Sequence, residues 1–328
     1  MGSRPFSNAD PFLQLIVLFL LAFFCVGLFL LMGQGLLNAL WGVSLFENPT
    51  LISDYENEQV IRMNRLLLFF QHLGLFVVPA IIFAALCSTN WKKYLGFRFI
   101  LPQFAVGSII MIIAALPLIN VLAWANQSIV FPEFLAGVEK TLLGLEESAA
   151  LLTEAIAGSP DINVFLVNIV VLALLPAFGE EMIFRGVVLP ILRKWTGNVH
   201  LAVWISAFIF SAFHLQFYGF LPRFILGALL GYLFVWSKSL WAPIIAHFIN
   251  NTLALFLMLL LAREYIPEEV DQFNATWLDW LLVLASIAII VVGIFFLTKY
   301  SKGWRNNRLA NRLQQETEPH HREVRDIE

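Results

Sequence analysis

Charge is what this sequence has little of. Asp, Glu, Lys and Arg make up 13% of its 328 residues, where a soluble domain carries about 25%. With 59% hydrophobic residues, the chain has too few charges to clothe a water-facing surface of this size. Cysteine is scarce too. Cys25 and Cys87 both lie in apolar runs, which excludes a disulfide framework and a CxxC metal site. The net charge of −3 is too small to imply a nucleic-acid partner. The chain has no HExxH, GxSxG, P-loop or GxGxxG signature. It has no internal repeat, which gives an inverted-repeat transporter little support.

Long apolar runs are what it does have. Mean hydropathy is +0.79. About 20 apolar residues cross the hydrocarbon core as a helix, and Phe12–Leu37, Leu66–Cys87 and Phe104–Asn126 contain no formal charge. The first run is too long for the apolar part of a signal peptide, has no short basic segment before it, and is read as a span. Spans are expected near 12–37, 66–87, 104–126, 162–184, 199–217, 220–237, 241–262 and 278–299. The later ones carry polar residues and short connections, as expected of helices facing protein rather than lipid. With the N-terminus inside and the distal tail left out, twelve Lys/Arg, Arg185 among them, fall on the cytoplasmic side and Arg62, Arg65, Lys140, Arg223 and Arg263 on the other. Excess Lys/Arg marks cytoplasmic loops.

The expected fold is therefore an all-α polytopic membrane protein of about eight transmembrane helices, both termini cytoplasmic, resident in the cell membrane with the lipid bilayer as partner. Residues 1–160 form an N-terminal membrane region of three spans. It includes an extracytoplasmic amphipathic segment at 127–161, where Leu142, Leu145, Ala149, Leu152 and Ile156 recur at helical spacing among acids. Residues 161–262 form a core, 263–300 hold the last span, and 301–328 read as a mobile, polar cytoplasmic tail.

Ionisable groups inside spans are expensive and mark function. Gly179-Glu180-Glu181-Met182-Ile183-Phe184-Arg185 ends the fourth span. Adjacent helical acids point about 100° apart. Glu181 and Arg185 stand at i, i+4 with the acid N-terminal, the better order for an ion pair. Arg185 then neutralises Glu181, and Glu180 has no local partner. The competing reading is a solvated helix end. Phe210 and His214 share a helix face, and a lone His there is usually a hydrogen-bonded core residue. His247 and Asn251 point the same way, for interhelical hydrogen bonding or for chemistry. His72, beside Gln71, has no patterned partner and reads as an interhelical hydrogen bond. Gly227 and Gly231 form a GxxxG, read as a close helix contact.

In order within 72 residues stand EExxxR, FxxxH and HxxxN. This set resembles the CPBP family of intramembrane proteases, which includes the type II CAAX prenyl protease and the bacterial Abi proteins. The resemblance covers about residues 160–262, with no departure at the motif positions. It implies an intramembrane endopeptidase acting on membrane-associated proteins or peptides, CAAX-type ones included. It implies that Glu180 and His214 activate a water and that His247 and Asn251 stabilise the oxyanion. Glu181, Arg185 and Phe210 would support the site. Peptide hydrolysis needs those two functions, and Glu180 is the acid left free when Arg185 holds Glu181.

No cofactor is required on this reading. Zinc is the alternative, since members are often labelled metalloproteases and a Glu with two His can bind zinc; Glu180, His214 and His247 would then be the ligands. Against it, they lie on three helices without HExxH spacing. A non-proteolytic scaffold or bacteriocin-immunity protein of the same fold is the functional alternative. One geometric tension remains in the span boundaries. Counted from the cytoplasmic side, Glu180 and His247 sit shallow while His214 lies about 22 Å deep. Convergence requires the 162–184 helix to run on to about Val188, or the 199–217 helix to begin outside the bilayer or tilt.

Overall fold

A computed structural model describes residues 6–267 and 273–317. Among the described residues there is no strand. The helices are α1 (Pro11–Trp41), α2 (Glu58–Cys87), the short α3 (Trp91–Leu95), α4 (Pro102–Gln127), α5 (Ala136–Ala157), α6 (Ile162–Thr196), α7 (Val199–Ala212), α8 (Phe220–Ser237), α9 (Trp241–Ala262) and α10 (Trp277–Thr317). Local chemistry sets their ends. Asp10, Asn57, Asp161 and Asn198 each accept a backbone N–H from the first turn of the adjoining helix. Gly42, Gly96 and Gly197 adopt positive φ just after α1, α3 and α6.

Seven of these helices are long and apolar enough to cross a membrane. The expected eighth, at 199–217, is a helix of 14 residues ending at Ala212, about 21 Å long against a core of about 30 Å. The expected tail also differs, since α10 continues to Thr317; residues 318–328 lie outside the described part. The segment at 127–161 holds the helix α5, as its periodicity predicts. Arg185, counted as a cytoplasmic cation, is buried inside the bundle at 1% exposure.

The fourth span does not end at Phe184. It runs on through Pro190 to Thr196, a helix of 35 residues, further than the extension to Val188 that convergence requires. Proline lacks an N–H and crowds the carbonyl four residues back. The wider turn of a π segment relieves that crowding, and the chain places one before each of three prolines. Leu73–Val77 precedes Pro79, Ile169–Leu174 precedes Pro176, and Phe184–Val188 precedes Pro190. Each adds a residue to its turn and so re-aims the side chains beyond it. The first directly follows His72 and the third contains Arg185, and such bulges are common at functional sites.

The outer helices present bare apolar side chains, such as Phe19, Phe23, Leu284 and Phe295, as lipid-facing surfaces do. α6 lies inside. Its Met182, Phe184 and Val187 pack with Phe76 and Phe83 of α2, Phe210 of α7 and Ile244 of α9 in one buried cluster.

Candidate active site

The polar residues of α6 meet inside this cluster. Glu181 is fully buried and Arg185 nearly so. Arg185 Nη1 donates to Glu181 Oε1 at 2.7 Å, and Nη2 donates to the Gly227 carbonyl at 2.8 Å. The guanidinium lies 4.8 Å from the centre of the Phe210 ring, a cation–π contact. The expected i, i+4 pair is therefore present, and Phe210 supports it. Gly227 is available because α8 packs closely on α7. A Cβ there would stand 3.0 Å from Phe210 Cδ1, and one at Gly231 3.0 Å from Val203 Cγ1. That is the close contact the GxxxG predicts.

Glu181 has a second partner. His247 Nδ1–H donates to Glu181 Oε1 at 2.8 Å. This holds the ring so that Nε2 faces Glu180 Oε2 at 3.9 Å. Glu180 itself is buried, and among the described residues its Oε2 meets no hydrogen-bonding group. On its other side stands a residue that no motif in the sequence includes: His72 Nε2 lies 3.9 Å from Glu180 Oε1. His72 Nδ1–H donates to its own helix, to the Leu68 carbonyl at 2.9 Å, and among the described residues Nε2 has no partner closer than Glu180 at 3.9 Å, too long for the interhelical hydrogen bond expected. The signal is its position in a run otherwise free of charge, where even an imidazole is costly.

His214 stands two residues past the end of α7, on a turn that continues into Leu215 at φ 55°. The expected continuous helix face with Phe210 is thus cut short. The pair still touches, because His214 Nδ1–H donates to the Phe210 carbonyl at 2.9 Å and the two ring centres are 5.1 Å apart. His72, His214 and His247 lie within electrostatic reach of one another. All three spend Nδ1–H on a fixed acceptor and leave Nε2 for the site. Asn251, one turn beyond His247, donates weakly to the Leu172 carbonyl at 3.4 Å.

Arg223 of α8 also joins the site unforeseen. It donates to Gln216 Oε1 at 2.6 Å and lies within electrostatic reach of Glu180, His214 and Glu146. Above it, Glu146 of α5 accepts from the Tyr218 backbone N–H at 3.1 Å, and Tyr218 Oη donates to Glu139 at 3.2 Å. Arg65 and Asn168 fix the end of α5 by donating to the Ile156 carbonyl at 2.8 and 2.7 Å. The amphipathic helix thus lies over the site rather than apart from it.

Counted inward from Arg193 and Lys238, Glu181 and Gly227 are eleven or twelve residues deep. That is about 16–18 Å, roughly half of a hydrocarbon core. The extra length of α6 sets Glu180 deeper, the first of the changes that convergence requires.

Gly179 makes the approach of α2 to Glu180 feasible. A Cβ at Gly179 would stand 2.9 Å from Phe76 Cβ and 3.1 Å from Val77 Cγ2. Gly179→Val is expected to cost about 1–3 kcal/mol by overpacking. It should also part Glu180 from His72. A lowered thermal midpoint together with a lost activity checks this, and an unchanged midpoint contradicts it.

A zinc ion does not fit Glu180, His214 and His247 as ligands. Among the described residues no group of three His, Cys, Asp or Glu side chains is placed to hold a metal.

Residues 162–253 match the sequence model of a family described as type II CAAX prenyl endopeptidase Rce1-like. That stretch holds Glu180, Glu181, Arg185, Phe210, His214, His247 and Asn251 but not His72. The chain is 36% identical over 86 residues to "Uncharacterized protein YpbD" of Bacillus subtilis (strain 168), covering 25% of this chain and 41% of that one. It is 28% identical over 144 residues to "Putative membrane peptidase YdiL" of the same organism, covering 38% and 59%. It is 33% identical over 82 residues to "Sporulation-killing factor biosynthesis protein SkfC", again of that organism, covering 23% and 16%. The chain therefore spans about two fifths to three fifths of the first two relatives. No solved structure matches it.

Proposed function

From the premise of a multi-pass integral membrane protein whose residues 162–253 match the sequence model of the Rce1-like CAAX prenyl endopeptidase family, we propose that the chain is an intramembrane endopeptidase. Its substrates are proteins or peptides held at the membrane, CAAX-type ends among them. The observation that carries this is Glu180: a buried carboxylate with an unpartnered oxygen, set between two imidazole Nε2 atoms at 3.9 Å each. A buried acceptor without a donor costs free energy, and a water arriving with a proton to give supplies that donor.

In the proposed reaction Glu180, with His214, takes a proton from water as its oxygen adds to the scissile carbonyl carbon. The carbonyl oxygen becomes the oxyanion, held by Asn251 Nδ2–H and His247. The same proton passes to the leaving nitrogen when the C–N bond breaks, so the balance closes without a metal. Geometry sets one condition. His247 already gives its Nδ1–H to Glu181. It can donate from Nε2 only as an imidazolium, and the two glutamates beside it supply the compensating charge. Arg185 then fixes Glu181, and Glu181 fixes His247.

The test is substitution at the two residues farthest apart in the proposed division of labour. Asn251→Ala removes an oxyanion donor and is expected to slow cleavage about 10²–10³-fold. His214→Ala is expected to slow it by about 10²–10⁴-fold. Both variants should insert and elute as wild type does, since neither side chain belongs to the Glu181–Arg185 network. Wild-type rates in either variant overturn its assigned role.

A further inference from the structure

A second polar feature lies away from the site. A cavity of about 560 Å³ opens where the turn after α3, the last turns of α6 and the end of α8 meet. Four cations line it, Arg98, Arg193, Lys194 and Lys238, and no acid does. Some of that charge has ordinary causes, because cytoplasmic loops collect Lys and Arg and helix C-termini favour cations. Those causes do not require a hollow between the cations, and they do not require its walls to be fixed.

The walls are fixed. Gly96, at φ 92°, has no room for a Cβ, which would stand 2.8 Å from Phe234 Cε2. The Leu240 N–H donates to the Gly96 carbonyl at 2.8 Å, and the Ser239 hydroxyl donates to the Arg98 carbonyl at 2.7 Å. Lys238 closes α8 in the left-handed conformation, at φ 58°. Two loops distant in sequence are thereby pinned to each other around the hollow. Lys194 is steered by donating to the Ala9 carbonyl at 2.9 Å. Next in sequence to Lys194 and Arg98 stand Trp195 and Phe99, exposed at 55% and 84%. Aromatics exposed at the end of a bundle sit at the level of lipid headgroups.

We propose that this cavity binds the phosphate of an anionic phospholipid headgroup, with Arg98 and Arg193 as its main ligands. A phosphodiester carries one negative charge and oxygens that guanidinium groups grip in pairs. Basic pockets between helices on the cytoplasmic side take such headgroups. The acyl chains then continue along the apolar flank of α6 and α8. A free phosphate shares the anion chemistry but gains nothing from Trp195, Phe99 or the apolar flank.

The full chain, purified in a neutral detergent, is titrated with phosphatidylglycerol, with phosphatidylcholine and with inorganic phosphate. Retained lipid is counted by native mass spectrometry, and the thermal midpoint is followed in parallel. One phosphatidylglycerol is expected to stay bound, raising the midpoint where phosphatidylcholine does not. Arg98→Gln with Arg193→Gln should weaken that binding about tenfold or more. Lys92→Gln with Lys93→Gln, on the same face outside the cavity, should leave it unchanged. Both pairs are surface residues, and the lipid-free midpoint shows whether each variant is folded. Inorganic phosphate acting as strongly as the lipid overturns the headgroup as occupant. Equal binding in the cavity variant and wild type overturns the site. None of these readouts depends on proteolysis.

Discussion

Glu180→Gln lowers cleavage about 10²–10⁴-fold, the usual weight of a general base, and leaves the protein folded. The second half of that expectation is the more discriminating one. A buried glutamate that held the fold together would lose stability on amidation. Glu180 makes no hydrogen bond through Oε2 and no ion pair shorter than 3.9 Å. Amidation removes a buried charge of the same shape, so the thermal midpoint should be unchanged or higher. Glu181→Gln is the contrast. Glu181 Oε1 serves both Arg185 and His247, and its amide cannot pair as well with two donors. That variant should lose activity and stability together. Wild-type cleavage by Glu180→Gln contradicts the mechanism, and a collapsed midpoint contradicts the claim that Glu180 is there for chemistry.

Arg185→Met carries the largest expected loss of stability. Removing one partner of a buried ion pair leaves the other charge uncompensated, at about 3–5 kcal/mol. Here the loss is compounded, because Arg185 also satisfies the Gly227 carbonyl and covers the Phe210 ring. Thermal unfolding in detergent should show a midpoint lower by roughly 10 °C. The double variant Glu181→Gln with Arg185→Met should be more stable than Arg185→Met alone, because it removes the stranded carboxylate. Equal midpoints for the single and double variants contradict the pairing. Arg185→Lys should fall between, since an ammonium keeps the charge but not the two-pronged reach to Glu181 and Gly227.

Much of the fold is legible in the sequence because lipid-facing helices declare themselves by composition alone. The boundaries of α8 and α9 follow from their apolar runs, and the pair Glu181–Arg185 follows from helical spacing. Two things are not legible. Proline is normally a stop signal for a helix, so the fourth span reads as ending before Pro190. A π segment relieves the same proline and lets α6 continue, which no local pattern announces. The partner of His72 is hidden for a different reason. That partner, Glu180, lies 108 positions along the chain, and their approach depends on a glycine, Gly179, whose use is clear only once Phe76 faces it. Motif spacing reads contacts along one helix. It does not read contacts between helices, and Arg223, Gln216 and Glu146 come into view only with the packing. The short α7 shows the limit from the other side, because an apolar run of span length includes a turn that ends the helix before His214.

The most direct test is whether this chain cuts proteins in a membrane. Membranes containing the wild type, Glu180→Gln or His214→Ala are incubated in parallel, and newly formed peptide termini are counted by mass spectrometry, with and without a metal chelator. The expected result is a set of new termini in membrane-associated proteins that wild type produces with the chelator present and both variants lose. Identical termini in all three membranes would contradict proteolysis by this site. Termini lost to the chelator and restored by zinc would contradict water activation by Glu180 and His214 alone.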